Sequence, residues 1–199
     1  MVGLSLVVVA SGCVARVNPE QGTPADEIKT LGGKVIVDEK SPDKPVILVD
    51  LRGTKVTDAR LEHLKSLTKL QRLNLSFTEV TDAGLEHLKG LINLQRLDLA
   101  DTKVTDAGLK YLKGLTQLQT LDLANTKLDG AGLEHLKGLT KLQSLNLNGT
   151  KVTDAALEHL ERLTQLESLY LGNTKLTNAG LMHLEGLTKL QTLDLANSG

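Results

Sequence analysis

The residues best suited by type and spacing to bind a metal ion are five histidines that recur in register along the chain. They are His63, His87, His135, His159 and His183, and Tyr111 takes the remaining place in the series. Neutral imidazole is a common metal ligand, and its protonation changes near physiological pH. Each histidine stands beside a leucine of the predicted core, however, and packed helices lie ~8–10 Å apart, so two rings would have to lean together to share one ion. No second column of ligands accompanies them, and the pattern therefore predicts no metal site.

Groups that could catalyse a reaction do not stand apart in this sequence, which has no Ser-His-Asp set, phosphate-binding glycine loop or isolated pair of acids. An active site needs unlike groups that converge on one reacting atom. The sequence instead has columns of equivalent residues, so we expect no enzyme and no cofactor. The 23 Lys and Arg residues nearly balance the 24 Asp and Glu residues. This balance gives no electrostatic reason to expect a nucleic-acid partner.

Side chains that could bind a protein partner lie in three columns where the repeating segments differ most. The first column is Leu48, Arg72, Arg96, Thr120, Ser144, Ser168 and Thr192; the second is Asp50, Asn74, Asp98, Asp122, Asn146, Tyr170 and Asp194; the third is Arg52, Ser76, Ala100, Ala124, Asn148, Gly172 and Ala196. The early segments thus present arginines beside acids, with Phe77 near them, and Arg and Tyr often dominate interface energies. The candidate partner-binding residues are Arg52, Arg72, Arg96, Asp98, Asp122 and Tyr170. A solvated polar surface without a partner is the alternative interpretation.

The element that must position these columns is a 24-residue repeat. Its leading apolar residues are Val46, Leu70, Leu94, Leu118, Leu142, Leu166 and Leu190. Within one repeat Leu73 and Leu75 alternate as in a strand, whereas Leu85, Leu88 and Leu91 recur every third residue, as on one side of a helix or helical turn. Such a unit cannot bury its leucines alone. Stacked repeats are therefore expected to form a parallel sheet and a second layer of helical segments.

Stacking would bring the arginines of the first repeats together, because neighbouring strands lie ~4.8 Å apart. Arg52, Arg72 and Arg96 are expected to form one basic patch flanked by Asp50 and Asp98. Since these acids partly neutralise the patch, a partner should offer carboxylates or planar groups on which Arg can stack, rather than bulk negative charge. This favours a protein or peptide partner over a nucleic acid.

The repeat resembles the leucine-rich repeats, whose core is L-x-x-L-x-L-x-x-N/C-x-L. A threonine row with a final serine fills the Asn/Cys position: Thr54, Thr78, Thr102, Thr126, Thr150, Thr174 and Ser198. With the "TDAGL" segment, the repeat resembles the Thr-type repeats of secreted and lipid-anchored bacterial proteins, and more distantly the cysteine-containing repeats of F-box proteins. The resemblance implies a right-handed α/β solenoid, with a curved parallel sheet on the concave side and short helices on the convex side. It also implies a buried polar ladder and a non-catalytic scaffold that binds a protein or peptide.

The start of each helical segment is predicted from the residue that follows Thr in "TDAGL". This column is Asp58, Asp82, Asp106, Gly130, Asp154 and Asn178, all residue types that helix N-caps tolerate or prefer. In the repeat with Gly130, Asp129 replaces the preceding Thr and keeps a carboxylate at the helix start. The glycine of "TDAGL" becomes Arg60 or Ala156 in two repeats, so a positive backbone angle is not required there.

Separate predictions concern the two ends of the repeat array. Residues 24–45 are predicted to form an N-terminal cap, a helix followed by a hairpin strand, and residues 46–199 form six full repeats and a seventh strand. No comparable cap follows Leu195, so we expect either a truncated sequence or a sheet edge that contacts a partner. The alternative function is therefore a structural or envelope protein that self-associates through this C-terminal edge.

The first thirteen residues, "MVGLSLVVVASGC", resemble a signal peptide that ends in a bacterial lipobox, although Ala10 stands where Leu is usual. Cys13, the only cysteine, would carry the lipid and attach the protein to a membrane outside the cytoplasm, and residues 14–23 would be a linker. No Lys or Arg precedes the apolar stretch, so we expect a start further upstream. The alternatives are a frayed apolar terminus or a buried strand. One cysteine excludes an intrachain disulfide and a Cys-based zinc site.

Overall fold

The computed structural model describes residues 23–198. The predicted signal peptide, Cys13 and residues 14–22 of the predicted linker lie outside these described residues. None of the helices in the described range is both long and apolar enough to cross a lipid bilayer.

The described chain begins with helix α1, Pro24–Thr30, followed by strand β1, Lys34–Val37. Thr23 caps α1 in a reciprocal arrangement, because its side chain accepts from the Asp26 backbone N–H and the Asp26 carboxylate accepts from the Thr23 backbone N–H. Gly32, at φ 81°, ends the helix in a conformation that favours glycine. The buried Ile28 of α1 packs into the same core as the repeats.

A single eight-stranded sheet follows the order of the chain. Beyond β1, its strands are β2 Val46–Asp50, β3 Arg72–Asn74, β4 Arg96–Asp98, β5 Thr120–Asp122, β6 Ser144–Asn146, β7 Ser168–Tyr170 and β8 Thr192–Asp194. Strand β1 is antiparallel to β2, and every later pair is parallel with a register of one repeat, such as Arg72 opposite Arg96. The predicted parallel stack of repeats is therefore confirmed, and so is the alignment of the strand columns.

The helical layer differs in detail from a row of α-helices. It contains only one α-helical turn within the described repeats, α2 at Asp82–Leu85, and is otherwise built from 3₁₀ segments. These are Asp58–Ser66, Glu86–Leu88, Asp106–Leu112, Ala131–Leu136, Asp154–Leu160 and Gly180–Leu184. A 3₁₀ helix has about three residues per turn. Leucines spaced by three, such as Leu109 and Leu112, therefore align on the buried side, where both are 0% exposed.

The threonine row is buried from Thr78 to Thr174 and half-buried at its two ends, Thr54 and Ser198. Each hydroxyl closes the turn that follows its own strand. Thr78 Oγ1 donates to the Leu75 carbonyl at 2.6 Å, and the equivalent bond recurs from Thr54 to Ser198. A threonine has only one hydroxyl to donate, and that donor bonds within its own repeat. The ladder therefore fixes the exit of each strand.

Four aspartates of this column link one repeat to the next, so their predicted role as helix N-caps is wrong; they are Asp58, Asp82, Asp106 and Asp154. Gly130, in the same column, is the N-cap of its own 3₁₀ segment. Asp82 accepts from the Thr105 backbone N–H at 2.8 Å and from the Thr105 hydroxyl at 2.6 Å. Asp58 and Asp154 make the same pair of bonds to Thr81 and Thr177. In these four repeats the N-cap is the preceding threonine, because the aspartate already lies at the first helical position and its side chain points into the next repeat. We call this pair of bonds the Asp–Thr link.

The glycine of "TDAGL" makes room for that link. A Cβ on Gly108 would overlap Asp82 Oδ1 and lie 3.0 Å from its Cγ, and no positive φ is involved. Ala156 stands at the glycine position of its repeat. The residue that faces it from the preceding repeat is Gly130, where the other full repeats have Asp or Asn. Glycine is thus needed on only one side of each contact.

Candidate partner-binding surface

Strands β3 and β4 place Arg72 and Arg96 side by side on the exposed face of the sheet. Between them and the next polar column, Leu73 and Leu97 point inward and are at most 1% exposed. The same register sets Asn74 beside Asp98. Two arginines on strands about 4.8 Å apart therefore stand next to an amide and a carboxylate.

These side chains line a shallow cleft with a volume of about 270 Å³. Its lining residues are Leu48, Val49, Asp50, Arg72, Leu73, Asn74, Arg96 and Asp98. Leu48 precedes the arginines in the same strand column, so one wall of the cleft is apolar. The cleft can thus hold an apolar group and a hydrogen-bond acceptor at the same time.

The arginines of this surface retain free donors. Among residues 23–198, Arg52, Arg72 and Arg96 form no ion pair within 4.0 Å. Asp50 and Asp98 instead each use a carboxylate oxygen to accept a backbone N–H two residues on, at 3.0 and 3.1 Å. The acids therefore shape the strand exits and leave the guanidinium groups available for a partner.

Burial is the main cause that raises the pKa of Asp98 above its ordinary value, and the nearby Asp122 carboxylate adds to the rise. The Ala100 N–H, Arg96 and Arg52 act in the opposite direction and lower that pKa. Desolvation penalises the charged form of a carboxyl group. The cleft is therefore a partly desolvated place in which an additional positive or hydrogen-bonding group from a partner would be favourable.

Arg52 lies at the margin of the cleft, because it follows β2 instead of belonging to it. Its guanidinium carbon is 4.8 Å from the centroid of the Phe77 ring, which is a cation–π contact. Phe77 is 52% exposed. Arg52 and Phe77 together form an exposed planar pair beside the cleft.

Phe77 has an unusual backbone conformation that the sequence reasoning missed. Its φ is +58°, and the residues at the same place in the other repeats also have positive φ. Those residues are Gly53, Asp101, Asn125, Gly149, Asn173 and Asn197. Gly, Asn and Asp are the types that tolerate this conformation. A column of these three types interrupted by a single Phe is the sequence signal that could have revealed it.

The remaining candidate residues are placed further along the sheet. Asp122 lies on β5 beside Asp98, and its Oδ2 accepts from Asn146 Nδ2 at 3.1 Å. Tyr170 lies on β7, three strands beyond Arg96, which corresponds to about 14 Å at ordinary strand spacing. The structure therefore gathers Arg72, Arg96 and Asp98 in one cleft, with Arg52 and Asp122 next to it and Tyr170 apart.

The histidine column lies on the helical layer. Among the described residues no group of three or more His, Cys, Asp or Glu side chains is arranged to hold a metal ion. His183 Nδ1 instead lies 2.8 Å from Glu161 Oε1 of the preceding repeat. His87 Nδ1 is buried without a hydrogen-bond partner within the described range, and His159 Nδ1 lies 3.3 Å from Glu158 Oε1. These rings act as separate side chains at successive repeats.

Comparisons with known proteins agree with this architecture. Two models of the Leucine rich repeat match residues 63–89 and 92–152. An internalin (inlF) of Listeria monocytogenes is 26% identical with a TM-score of 0.63 over 72% of this chain, and the match spans 39% of that protein. Internalin C2 of the same species is 27% identical with a TM-score of 0.65 over 87% of this chain and 73% of its own.

The leucine-rich-repeat ectodomain of the Arabidopsis receptor kinase HAESA, solved with a peptide hormone ligand, shares the fold at 23% identity. Its TM-score is 0.62 over 79% of this chain and 27% of its own. No curated protein matches the chain. The strand register, the helical layer and these matches together show that the chain folds as an α/β solenoid of leucine-rich repeats.

Proposed function

We propose that the chain is a non-catalytic scaffold that binds a protein or peptide on the concave face of its sheet. The observation that carries the proposal is the pair of neighbouring, exposed arginines, Arg72 and Arg96, that lack an acidic partner among the described residues. A guanidinium group binds a carboxylate through two parallel hydrogen bonds. The cleft therefore favours a partner that presents carboxylates.

The local arrangement of charge also argues for a protein ligand. Asp50 and Asp98 line the same cleft as the arginines, and the net charge of the chain is −1. A polyanion needs a continuous basic surface, whereas a peptide can match alternating charges one by one. The HAESA ectodomain, which has the same fold, was solved with a peptide hormone. A protein or peptide is therefore the class of partner that we propose.

Replacement of both arginines by serine tests this function. Serine already stands in the same strand column at Ser144 and Ser168, so we expect the variant R72S/R96S to fold and to keep its melting temperature within about 2 °C. A random dodecapeptide library displayed on phage would be selected on the full chain and on this variant. The full chain should enrich peptides that contain Asp or Glu, and the variant should lose them.

A matched control removes two positive charges from exposed positions on the helical side, Lys113 and Arg162. The variant K113S/R162S should enrich the same acidic peptides as the unaltered chain. Equal enrichment on R72S/R96S, or no enrichment on the unaltered chain, would contradict a carboxylate-binding site at the cleft.

We also propose that the protein works outside the cytoplasm with a lipid on Cys13. The support is the sequence "ASGC", which lies outside the described residues. Expression in a bacterium from a complete signal sequence should yield protein that incorporates labelled fatty acid and partitions with membranes, and Cys13→Ser should do neither. Wild-type protein that stays unlabelled and uncut would refute the anchor.

Self-association through the edge of β8 is a second candidate function. Leu193 is 40% exposed there, whereas its equivalents from Leu73 to Leu169 on the inner strands are at most 1% exposed. Light scattering over a concentration series should show a rising mass that disappears when a capping repeat is fused after Gly199. A constant monomer mass would exclude this function.

A further inference from the structure

Phe77 is the one bulky residue in a column that otherwise contains only Gly, Asn and Asp. All seven members of the column have φ between 55° and 69°. For a bulky side chain this region is a true outlier, and such residues are concentrated at sites where the conformation serves a function. The strain therefore singles out Phe77 from the other members of its column.

The conformation of Phe77 is imposed by the solenoid. Its backbone N–H donates to the Ala100 carbonyl at 2.9 Å, and the equivalent N–H groups of Asp101 and Asn125 make the same bond to the next repeat. These inter-repeat bonds fix the turn whatever side chain it carries. Phe77 is thus held in an unfavourable conformation by its neighbours, and its ring, 52% exposed, contributes little burial in return.

The ring is placed where a ligand in the cleft would reach it. Phe77 follows Asn74, a residue that lines the cleft, by three positions, which is at most about 11 Å of chain. Ser76, between them, is buried and bonded to Asn74 Oδ1. Arg52 covers part of the ring with its guanidinium group. The ring and the cleft are therefore two parts of one rigid surface.

We propose that Phe77 is a specificity-determining residue of this surface, and that the ligand is an extended protein segment with an aromatic or large apolar residue near a carboxylate. The carboxylate binds Arg72 and Arg96, and the apolar side chain packs on Phe77 and Arg52. The chain from Arg72 to Phe77 spans at most about 18 Å. An extended ligand advances ~3.3 Å per residue, so its two recognised residues lie at most about five positions apart. This inference rests on the proposed function and specifies its ligand.

The test exchanges Phe77 for asparagine, the residue that occupies its place at Asn125, Asn173 and Asn197. The variant F77N relieves the strain, so we expect the melting temperature to rise by about 2–4 °C. The same variant should lose ligand affinity by about tenfold or more. Higher stability with weaker binding is a combination that a residue with a purely structural role would not give.

Binding is measured with the random dodecapeptide phage library on the full chain and on F77N. The full chain should enrich peptides with Asp or Glu within about five residues of Phe, Trp, Tyr or Leu. F77N should keep the acidic residue and lose the apolar one, and F77G, which copies Gly53 and Gly149, should behave alike. The control I92T removes another exposed apolar side chain, 57% exposed, and should leave the selected peptides unchanged.

The outcomes separate this inference from the proposed function. If F77N enriches the same acidic and apolar pairs with unchanged affinity, or if its melting temperature falls, the role given to Phe77 is wrong while the arginine site stands. If enrichment does not depend on Arg72 and Arg96, the proposed function itself fails.

Discussion

The Asp–Thr link between repeats can be tested by a double-mutant cycle at Asp82 and Gly108. Gly108→Ala would place a Cβ where Asp82 Oδ1 now lies and 3.0 Å from its Cγ, so the carboxylate must move. Asp82→Gly removes the carboxylate outright. The chain already combines a residue without a side chain and an alanine at the equivalent positions, Gly130 and Ala156. The double variant should therefore accommodate the added methyl group, which the Gly108→Ala single variant cannot do without displacing the carboxylate.

The magnitude follows from the bonds that are lost. Asp82 accepts two hydrogen bonds from Thr105, at 2.8 and 2.6 Å, and both groups are partly buried. Hydrogen bonds to charged groups contribute about 1.5–3 kcal/mol each, less where water competes. We expect each single variant to lose about 2–4 kcal/mol of unfolding free energy, because each one breaks the same two bonds. The double variant should lose about the same amount, which gives a coupling energy of about 2–4 kcal/mol.

Chemical denaturation and calorimetry of the four proteins measure this coupling. Each single variant should lower the melting temperature by about 4–16 °C, since 1 kcal/mol corresponds to about 2–4 °C in a chain of this size. Gly90→Ala is the control, because a Cβ there meets no atom within 4 Å, and we expect a change below about 1 kcal/mol. Additive losses in the double variant would show that Asp82 and Gly108 act independently and would refute the link.

Further predictions concern the core and the carboxylates. Leu121 is 0% exposed, so Leu121→Ala should cost about 2–5 kcal/mol, whereas the exposed Lys127→Ala should cost well under about 1 kcal/mol; equal melting shifts would contradict the stacked core. Hydrogen bonds from Thr177 hold the pKa of Asp154 below its ordinary 3.8. The ionised carboxylate therefore stabilises the fold above pH 3.8, and this stabilisation is lost as the pH falls through the lower pKa of the folded state. The difference in stability between wild type and Asp154→Asn should therefore close in acid. Burial raises the pKa of Asp98, so its ionisation opposes folding; Asp98→Asn should raise the melting temperature more at about pH 7 than at about pH 3.

The repeat period was enough to predict the sheet, its register and the buried leucine columns. A step of 24 residues places Arg72 beside Arg96 whatever the details of the turns, and the structure confirms this pairing. The type of helix was not predicted, because leucines spaced by three suit a 3₁₀ segment as well as one side of a short α-helix. Periodicity therefore established which residues are buried but not the pitch of the helical layer.

The role of the aspartates could not be read from local preference. Asp is a favoured N-cap, yet Asp82 bonds to Thr105, which is 23 residues further along the chain. The signal that could have revealed the contact lies in pairs of columns from adjacent repeats. The glycine position of "TDAGL" contains glycine where it faces an aspartate, as Gly108 faces Asp82. It contains alanine where it faces a glycine, as Ala156 faces Gly130. Residue pairs between adjacent repeats carry this information, whereas a single column does not.

The strand columns predicted that Arg72, Arg96 and Asp98 lie close together, as they do in the cleft, but not that Arg52 and Tyr170 lie outside it. The column pattern groups Arg52 with Arg72 and Arg96. The turn after Asp50 instead carries Arg52 to the margin of the cleft, where its guanidinium group lies over the Phe77 ring. Tyr170 was included as an aromatic residue, although its strand is remote from the cleft. Column positions give the order of strands, but the path of the chain after each strand depends on backbone angles that the column does not specify.

The Gly130–Ala156 contact has a consequence for how the array unfolds. Within the described range, every other junction from the repeat of Asp58 to that of Thr177 has an aspartate that bonds across the helical layer, and this junction has none. In a linear array, cooperativity passes only between nearest neighbours. The solenoid should therefore behave as two blocks joined at a weaker coupling near Thr153. Amide hydrogen exchange would then show distinct opening free energies before and after that residue, so that the half bearing the arginines keeps its shape while the other half opens.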